Sequence, residues 1–205
     1  MEEARRLQRE RWQAQQAQQA QPQEQPPPAA AEQQRPLLVF DLDGTLLDTT
    51  PPDTRGTRFD FTWKGKEVRL RPGLSAFVSA VTAHGFDTAV WTAAPAEYAE
   101  AMVAGMASCG VTLNPQLVLS YEDCETSWER GPVVSKPLTK LSWRIGRPAW
   151  RMLVFDDTPS TYAKNVSNAI PVPMFAGKAS DGVLGELQAF LVAMNLSAPL
   201  DVRGW

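Results

Sequence analysis

From Leu37 onward the chain alternates short apolar runs with segments of helical periodicity. Predominantly apolar runs of this length predict strands that are buried on both faces, as in a parallel sheet covered by helices. They comprise residues 37–41, 86–92, 151–155 and 169–172, with a shorter candidate at 117–119. The alternation predicts an α/β domain, a three-layer sandwich around a central parallel sheet.

Three helices are predicted between and after these strands. Apolar residues recur at i, i+3, i+4 and i+7 from Leu74 to Val81, which predicts a helix that ends near Gly85. A second helix follows Pro95, a residue suited to a first turn, and a third begins near Asp181, the expected N-cap. Their apolar faces are formed by Tyr98, Met102 and Met106 and by Leu184, Leu187, Leu191 and Met194.

A β-hairpin is predicted between the first strand and the first helix. Residues 59–63 and 67–70 alternate apolar and polar positions around a turn at Lys64 and Gly65. The segment from Leu46 to Arg71 has room for a loop and this hairpin but not for a helical cap. A small hairpin insertion is therefore expected where a helical cap would cover a ligand site.

The N-terminal segment has a different composition. Residues 1–35 are rich in Gln and then in Pro, with few large apolar residues, so a disordered tail is predicted. Residues 2–20 could also form a helix against a protein partner, so the tail is a candidate binding segment. Residues 36–196 then form the folded domain, and residues 197–205 form a C-terminal tail.

Charge and cysteine usage exclude several functional classes. The formal charge of -3 argues against nucleic-acid binding by bulk positive charge. Two cysteines and one histidine do not suffice for a four-ligand zinc site made of these residues alone. No run approaches the roughly 20 apolar residues that span a bilayer, so no membrane segment is expected. Reduced thiols are expected, which favours a cytoplasmic or nuclear location.

Polar residues follow three of the predicted strands. Asp41 and Asp43 come after the first strand, Thr92 ends the second, and the pair at 156–157 follows the third. Parallel strands end at the same edge of a sheet, where ligands bind in open α/β folds, so these side chains should meet. Lys136 lies between the last two groups in the chain. Taken singly, each has an ordinary structural explanation, such as a solvated turn or a surface lysine.

Four carboxylates at one edge require compensation. At about 4 Å and an effective dielectric constant near 20, each like-charged pair costs on the order of 4 kcal/mol. Protonation of one acid or a bound hard cation would offset this repulsion, and the cation best suited is Mg²⁺, since it prefers oxygen ligands and leaves positions open for phosphate oxygens. Thr92 and Lys136 would supply the donor and the positive charge that a phosphate group requires.

The second aspartate narrows the chemistry further. A carboxylate that attacks phosphorus needs a partner acid, which protonates the departing oxygen and later deprotonates water. Asp43 lies two residues from Asp41 and is suited to that role, with a pKa raised by neighbouring carboxylates and phosphate. Dehalogenation by a single aspartate would not demand a second acid. Phosphoryl transfer is therefore favoured.

Together these motifs resemble the haloacid dehalogenase (HAD) superfamily, and more narrowly the small phosphatases that act on the RNA polymerase II C-terminal domain, the NLI-interacting-factor-like branch. The matching segments are Asp-Leu-Asp-Gly-Thr-Leu at 41–46, Arg-Pro-Gly-Leu at 71–74, Trp-Thr-Ala at 91–93, Lys-Pro-Leu at 136–138, and Phe-Asp-Asp-Thr-Pro-Ser-Thr-Tyr at 155–162. Tyr98-Ala99 and residues 165–172 add to the match, which covers roughly Leu37 to Met194.

The resemblance implies a role for each site residue. Asp41 would be the nucleophile that forms an aspartyl-phosphate, and Asp43 the general acid/base, with its backbone carbonyl as a metal ligand. Thr92 and Lys136 would bind the transferring phosphoryl group. Asp157 would ligate Mg²⁺ beside Asp41 with Asp156 in support, although the sequence leaves open which of the two is the direct ligand.

Two departures from the family pattern concern the substrate. An arginine that is common shortly before the cysteine matching Cys124 is absent from residues 120–123, and Pro137 replaces a common acidic residue. The chemistry is expected to survive both changes, whereas a preference for the polymerase tail is not carried over.

The expected function is that of a Mg²⁺-dependent phosphoserine/phosphothreonine protein phosphatase. An uncovered crevice leaves water exclusion to the substrate, which favours phosphoproteins or phosphopeptides over small metabolites. The alternatives are a phosphatase of phosphotyrosine or small phosphoesters, and a non-catalytic binding module on the same fold. Candidates for lining a peptide groove are Phe59, Phe61, Trp63, Tyr98 and Trp128, with core packing an equal alternative for Phe61.

Overall fold

A computed structural model describes residues 35–49, 58–128 and 131–196. At its centre is a parallel five-stranded sheet, which confirms the predicted sheet, and its strands lie side by side in the order 169–171, 152–156, 37–40, 87–91 and 118–119. The two predicted tails, residues 1–35 and 197–205, lie outside the described residues except for Arg35. The strands of this sheet are β1 (Leu37–Phe40), β5 (Asp87–Trp91), β6 (Val118–Leu119), β9 (Met152–Asp156) and β10 (Ala169–Pro171).

Helices cover both faces of this sheet, which gives the predicted three layers. Alternate residues of β1 point to opposite faces, so Leu38 and Phe40 belong to one apolar cluster and Leu37 and Val39 to the other. The first cluster includes α1 (Leu74–His84), α2 (Ala96–Ser108) and α4 (Val183–Val192), and the second includes α3 (Leu138–Ile145). Within the described ranges, no helix is both long enough and apolar enough to span a membrane.

The insertion after β1 is a small antiparallel sheet. Strands β3 (Phe61–Trp63) and β4 (Lys66–Leu70) form the predicted hairpin, and β2 (Leu47–Asp48) pairs with β4 on its other side. The turn residues Lys64 and Gly65 have φ values of 45° and 78°, as a two-residue hairpin turn with positive φ at both positions requires. Strand β2 was not predicted, and residues 50–57 of the insertion lie outside the described part.

Two further elements escaped the sequence prediction. Strands β7 (Glu125–Ser127) and β8 (Val133–Ser135) form a second hairpin, and α3 follows it directly. Each of these strands has only three residues, so no clear alternation identifies them. Helix α3 has only eight residues and buries only Leu138 and Leu141, so its apolar pattern is too short to stand out in the sequence.

Asp181 has a different role from the predicted N-cap. The N-cap residue of α4 is Gly182, although Asp181 still accepts a hydrogen bond from the backbone of Val183. The Asp181 carboxylate instead pairs with the buried guanidinium of Arg71 through two hydrogen bonds of 2.9 and 3.0 Å. Arg71 also donates to the backbone carbonyl of Thr45 at 3.1 Å, so this pair ties the loop after β1 to the start of α4.

We expect Asp181→Asn to lower the free energy of unfolding at neutral pH by about 1–3 kcal/mol, because a charged hydrogen bond to a buried guanidinium is lost. The hydrogen bond from Arg71 lowers the pKa of Asp181 in the folded protein. Its contribution is therefore present above about pH 4 and disappears as the pH falls through the lowered pKa. Urea unfolding of the wild type and of Asp181→Asn at pH 7 and near pH 3 measures the difference in their free energies of unfolding. The same difference at both pH values would contradict the prediction.

Candidate functional site

The predicted site residues meet at the carboxyl edge of the central sheet. Asp41 directly follows β1, Thr92 follows β5, and Asp156 ends β9. The backbone amide of Asp41 donates to Phe155 at 2.9 Å, which fixes the start of the turn against the neighbouring strand. An open cleft of about 500 Å³ adjoins them. It is lined by Asp41, Asp43, Thr92, Ala93, Ala94, Pro132, Val133, Val134, Lys136, Asp156, Thr158, Ser160 and Thr161.

Lys136 is buried between two carboxylates and is not a surface lysine. Its Nζ donates to Asp41 Oδ1 at 2.6 Å and to Asp156 Oδ2 at 2.7 Å. Its backbone is held as firmly, since the amide donates to Thr161 and the carbonyl accepts from the side chain of Asn165, both at 2.7 Å. Burial acts to lower the pKa of Lys136, but the charges of Asp41 and Asp156 outweigh it and raise the pKa, so the ammonium stays charged.

Asp41 has opposing influences on its ionisation. Burial raises the pKa of Asp41 well above the ordinary carboxylic range, the charge of Lys136 lowers it, and the charge of Asp156 raises it again. The net shift is upward even beside an ammonium group. A further positive charge in the cleft would therefore favour the ionised carboxylate that a nucleophile requires.

The adjacent carboxylates of Asp156 and Asp157 have different surroundings. Asp156 is fully buried, and its two oxygens accept from Lys136 and, at 2.9 Å, from the backbone amide of Thr158. Asp157 is only half-buried, and burial together with the charge of Asp156 raises its pKa. It lies against the turn at Gly44, where a Cβ atom would come within 2.6 Å of its Oδ2. Glycine at this position, with a φ of 75°, thus allows the turn to approach the carboxylate.

The carboxylates of Asp41, Asp156 and Asp157 fit a divalent cation. Each offers an oxygen, and these three atoms lie within 4.8 Å of one another. Hard oxygen donors with space left for other ligands suit Mg²⁺. Asp156 accepts hydrogen bonds from Lys136 and from the backbone amide of Thr158, whereas Asp157 accepts only a long one, from the hydroxyl of Thr45 at 3.5 Å, among the described residues, so Asp157 is the less occupied of the two candidate ligands.

We expect Mg²⁺ to raise the midpoint of thermal unfolding, because a ligand that binds only the folded state stabilises it, by about 2.7 kcal/mol at 100 times its dissociation constant. Asp157→Asn should abolish most of this shift. Asp87→Asn, a change at the opposite edge of the sheet, should leave the shift intact and serves as a control. Scanning calorimetry with and without EDTA measures it; an equal Mg²⁺ shift in Asp157→Asn would contradict the assignment.

Asp43 lies in the same cleft but outside the three-carboxylate cluster. Its Oδ1 accepts hydrogen bonds from the hydroxyl of Tyr98 at 2.5 Å and from that of Thr49 at 3.3 Å. The pKa of Asp43 is raised, as predicted, but mainly through burial; both hydrogen bonds oppose the shift. Neighbouring charge, the cause expected from the sequence, raises the pKa of Asp43 less than burial does and comes from Asp48.

Thr92 both stabilises a turn and lines the cleft. Its hydroxyl accepts a hydrogen bond from the backbone amide of Ala94 at 3.1 Å, which closes the turn before α2. The hydroxyl hydrogen is not used by that bond, and the residue lines the cleft. A ligand in the cleft can therefore accept a hydrogen bond from Thr92.

Several residues around the cleft were not singled out by the sequence. They include the hydroxyl residues Thr158, Ser160 and Thr161 and the apolar residues 132–134 before and within β8. Of the aromatic residues proposed for a peptide groove, Phe61 and Trp63 pack against the main core, as the alternative for Phe61 predicted, and Tyr98 reaches the site through its hydrogen bond to Asp43. Thr158, Ser160 and Thr161 follow the Asp156-Asp157 motif directly in the chain, so that motif could have identified them. No sequence motif marks residues 132–134.

Comparisons with known proteins agree with this architecture. A family model described as NLI interacting factor-like phosphatase matches residues 36–203. Nuclear envelope morphology protein 1 of Saccharomyces cerevisiae is 27% identical over 191 residues, which cover 83% of this chain and 41% of the yeast protein. The chain thus spans about two-fifths of the length of that relative.

Two solved structures are similar to this chain at lower sequence identity. A HAD-superfamily hydrolase from Ehrlichia chaffeensis is 12% identical with a TM-score of 0.50, over 77% of this chain and 97% of that one. The structure of Fcp1, described as an essential RNA polymerase II CTD phosphatase, is 17% identical with a TM-score of 0.47, over 80% of this chain and 50% of that one.

Proposed function

Because the chain belongs to the NLI interacting factor-like phosphatase family of the HAD superfamily, we propose that it is a Mg²⁺-dependent phosphoserine/phosphothreonine protein phosphatase that acts through an aspartyl-phosphate. The observation that carries the proposal is the position of Asp41. Its carboxylate opens onto the cleft, is held by Lys136 at 2.6 Å, and lies beside a second carboxyl group, Asp43, with a raised pKa.

In the first step, an oxygen of Asp41 attacks the phosphorus of the bound ester. Lys136 fixes the orientation of the attacking carboxylate, and the hydroxyl of Thr92 donates to a phosphate oxygen. The bond between phosphorus and the ester oxygen breaks, and its electron pair goes to that oxygen. Protonated Asp43 transfers its proton to the same oxygen, so the product alcohol leaves neutral.

In the second step, Asp43 acts as a base. Its carboxylate takes a proton from water as the water oxygen attacks the phosphorus, and the bond to Asp41 breaks. Inorganic phosphate leaves and both aspartates return to their starting states. When bound by Asp41, Asp157 and the backbone carbonyl of Asp43, Mg²⁺ would supply positive charge that offsets repulsion between these carboxylates and the phosphate.

A protein substrate is supported by the openness of the cleft. The described part of the insertion is a three-stranded sheet that contributes no residue to the cleft lining, and Val133 and Val134 of β8 line the cleft. A macromolecular substrate would itself exclude water from such a site. We place the protein in the cytoplasm or nucleus; the yeast relative is named for nuclear envelope morphology. Partner binding by residues 1–35 stays a prediction, since that segment lies outside the described residues apart from Arg35.

A substrate panel tests the proposal. Peptides that differ only in phosphoserine, phosphothreonine or phosphotyrosine are compared with p-nitrophenyl phosphate and small sugar phosphates, each with Mg²⁺ and with EDTA. Phosphoserine and phosphothreonine peptides should give kcat/KM values at least about 10-fold above the others, roughly 1.4 kcal/mol of discrimination. A preference for phosphotyrosine or metabolites would overturn the substrate class, and absence of any Mg²⁺-dependent turnover would favour a binding module.

A further inference from the structure

Tyr98 connects the insertion sheet to Asp43. Its side chain is largely buried, and its hydroxyl donates to Asp43 Oδ1 at 2.5 Å. The ring of Tyr98 also contacts Trp63 of β3. The two rings pack edge-on, with centroids 5.2 Å apart and an interplanar angle of 80°. Burial and the Asp43 carboxylate both raise the pKa of Tyr98, so the phenol keeps its proton and acts as the donor.

The hairpin is anchored to the helix that carries Tyr98 at a second point. Phe61 packs on α2 at Gly105, where a Cβ atom would come within 2.2 Å of the phenyl ring. Only glycine leaves room for that contact. Phe61 and Trp63 point to the same face of β3. Trp63 contacts Tyr98 and Phe61 contacts Gly105, so β3 is held against α2 at two points.

The hydrogen bonds on Asp43 differentiate its two oxygens. Tyr98 and Thr49 both donate to Oδ1, whereas Oδ2 receives no hydrogen bond from another residue in the described part of the chain. With Oδ1 occupied as an acceptor, Oδ2 is the oxygen left to carry the transferable proton. The carboxyl group is thereby held in one orientation relative to Asp41.

We propose that Tyr98 is a positioning residue for Asp43, and that hairpin β3–β4 holds Tyr98 in place through Trp63. The proposal rests on the phosphatase function above and adds a structural role for the insertion. Proton transfer to the leaving oxygen depends on the placement of Asp43 Oδ2, and a displacement of about 1 Å can cost about 10²-fold in rate. Without the hydroxyl of Tyr98, the carboxyl group would sample other rotamers.

A leaving-group comparison distinguishes positioning from a general structural role. The serine oxygen of a phosphopeptide is a poor leaving group that needs the proton from Asp43, whereas p-nitrophenolate leaves readily without it. We expect Tyr98→Phe to lower kcat/KM by about 10–100-fold for a phosphoserine peptide and by less than about 3-fold for p-nitrophenyl phosphate. Using kcat/KM confines the comparison to the first chemical step.

Three further variants complete the experiment. Trp63→Leu should shift the ratio of the two kcat/KM values in the same direction as Tyr98→Phe, while Thr62→Ala, an exposed residue of the same strand, should leave it unchanged. In an Asp43→Asn background, Tyr98→Phe should cause no additional loss on the peptide, since its effect acts through Asp43.

The outcomes separate this proposal from the proposed function. Wild-type protein that hydrolyses neither substrate overturns the phosphatase function itself. An active wild type with equal losses on both substrates in Tyr98→Phe, or with no loss, overturns the positioning role. An unchanged ratio in Trp63→Leu, with a thermal midpoint showing that this variant is folded, overturns the role of the hairpin.

Discussion

Asp41→Asn should lower the turnover of every phosphate ester by at least about 10³-fold, the scale on which loss of a nucleophile acts in other covalent mechanisms. The amide of asparagine has nearly the same shape as the carboxylate, but it is a far weaker nucleophile and cannot form an acyl-phosphate. Steady-state kinetics on p-nitrophenyl phosphate and on a phosphoserine peptide measure the loss. Acid-quench trapping with a ³²P-labelled substrate should show the phosphoenzyme only in the wild type.

The fold should tolerate this substitution. Asp41 accepts a hydrogen bond from Lys136 at 2.6 Å, and the asparagine oxygen can accept it in the same place. The change also removes one negative charge beside Asp156, so repulsion in the site decreases. A folded Asp41→Asn protein that retained more than about a tenth of wild-type turnover would exclude Asp41 as the nucleophile.

Lys136→Met should affect both activity and stability strongly. Methionine fills a similar volume, but it leaves Asp41 and Asp156 buried without their shared ammonium partner. Removing one member of a buried ion pair typically costs about 3–5 kcal/mol of folding free energy. Loss of the positive charge beside the phosphate should also lower kcat/KM by about 10²–10³-fold.

The stability loss in Lys136→Met should depend on pH. Lys136 opposes the effect of burial on Asp41, so its removal raises the pKa of Asp41 further. An acid whose pKa is higher in the folded than in the unfolded state loses stability as the pH rises above its ordinary range near 4. Urea unfolding in EDTA should therefore show that the free energy of unfolding of Lys136→Met falls further below that of the wild type at pH 8 than at pH 5.

Lys140→Met provides a matched control for this experiment. Lys140 lies one helical turn further along, in α3, and is exposed. Its Nζ donates to the backbone carbonyl of Asp123 at 3.2 Å rather than to a buried carboxylate. Its substitution should change stability by no more than about 0.5 kcal/mol at either pH. Equal losses in the two variants would contradict a special role for the Lys136 ion pairs.

The parts of the fold predicted correctly are those with a strong local signal. Strands β1, β5 and β9 are mainly apolar because helices cover both faces of the sheet, and such runs are visible without knowing their partners. The hairpin β3–β4 has period-two alternation and a Lys-Gly turn, both of which are local. Helix α1 shows regular apolar spacing and ends at a glycine with positive φ.

The elements that were missed are stabilised by distant partners. Strand β2 has two residues and exists because it pairs with β4, more than 20 positions away in the chain. Helix α3 depends in the same way on the sheet face against which Leu138 and Leu141 pack. For Asp181 the sequence predicts a nearby helix start correctly but not the role of the side chain, since its partner Arg71 is 110 residues away in the chain.

The sequence by itself determined the fold class and the groups available for chemistry. Asp41, Asp43, Thr92 and the pair at 156–157 follow apolar strands, and parallel strands must end at one edge of the sheet, so their proximity follows from local pattern and chain direction. The tertiary structure alone decided how these groups are paired. Lys136 bridges Asp41 and Asp156, and Tyr98 donates to Asp43. Side-chain contacts of this kind depend on packing between elements far apart in the chain, and no local periodicity encodes them.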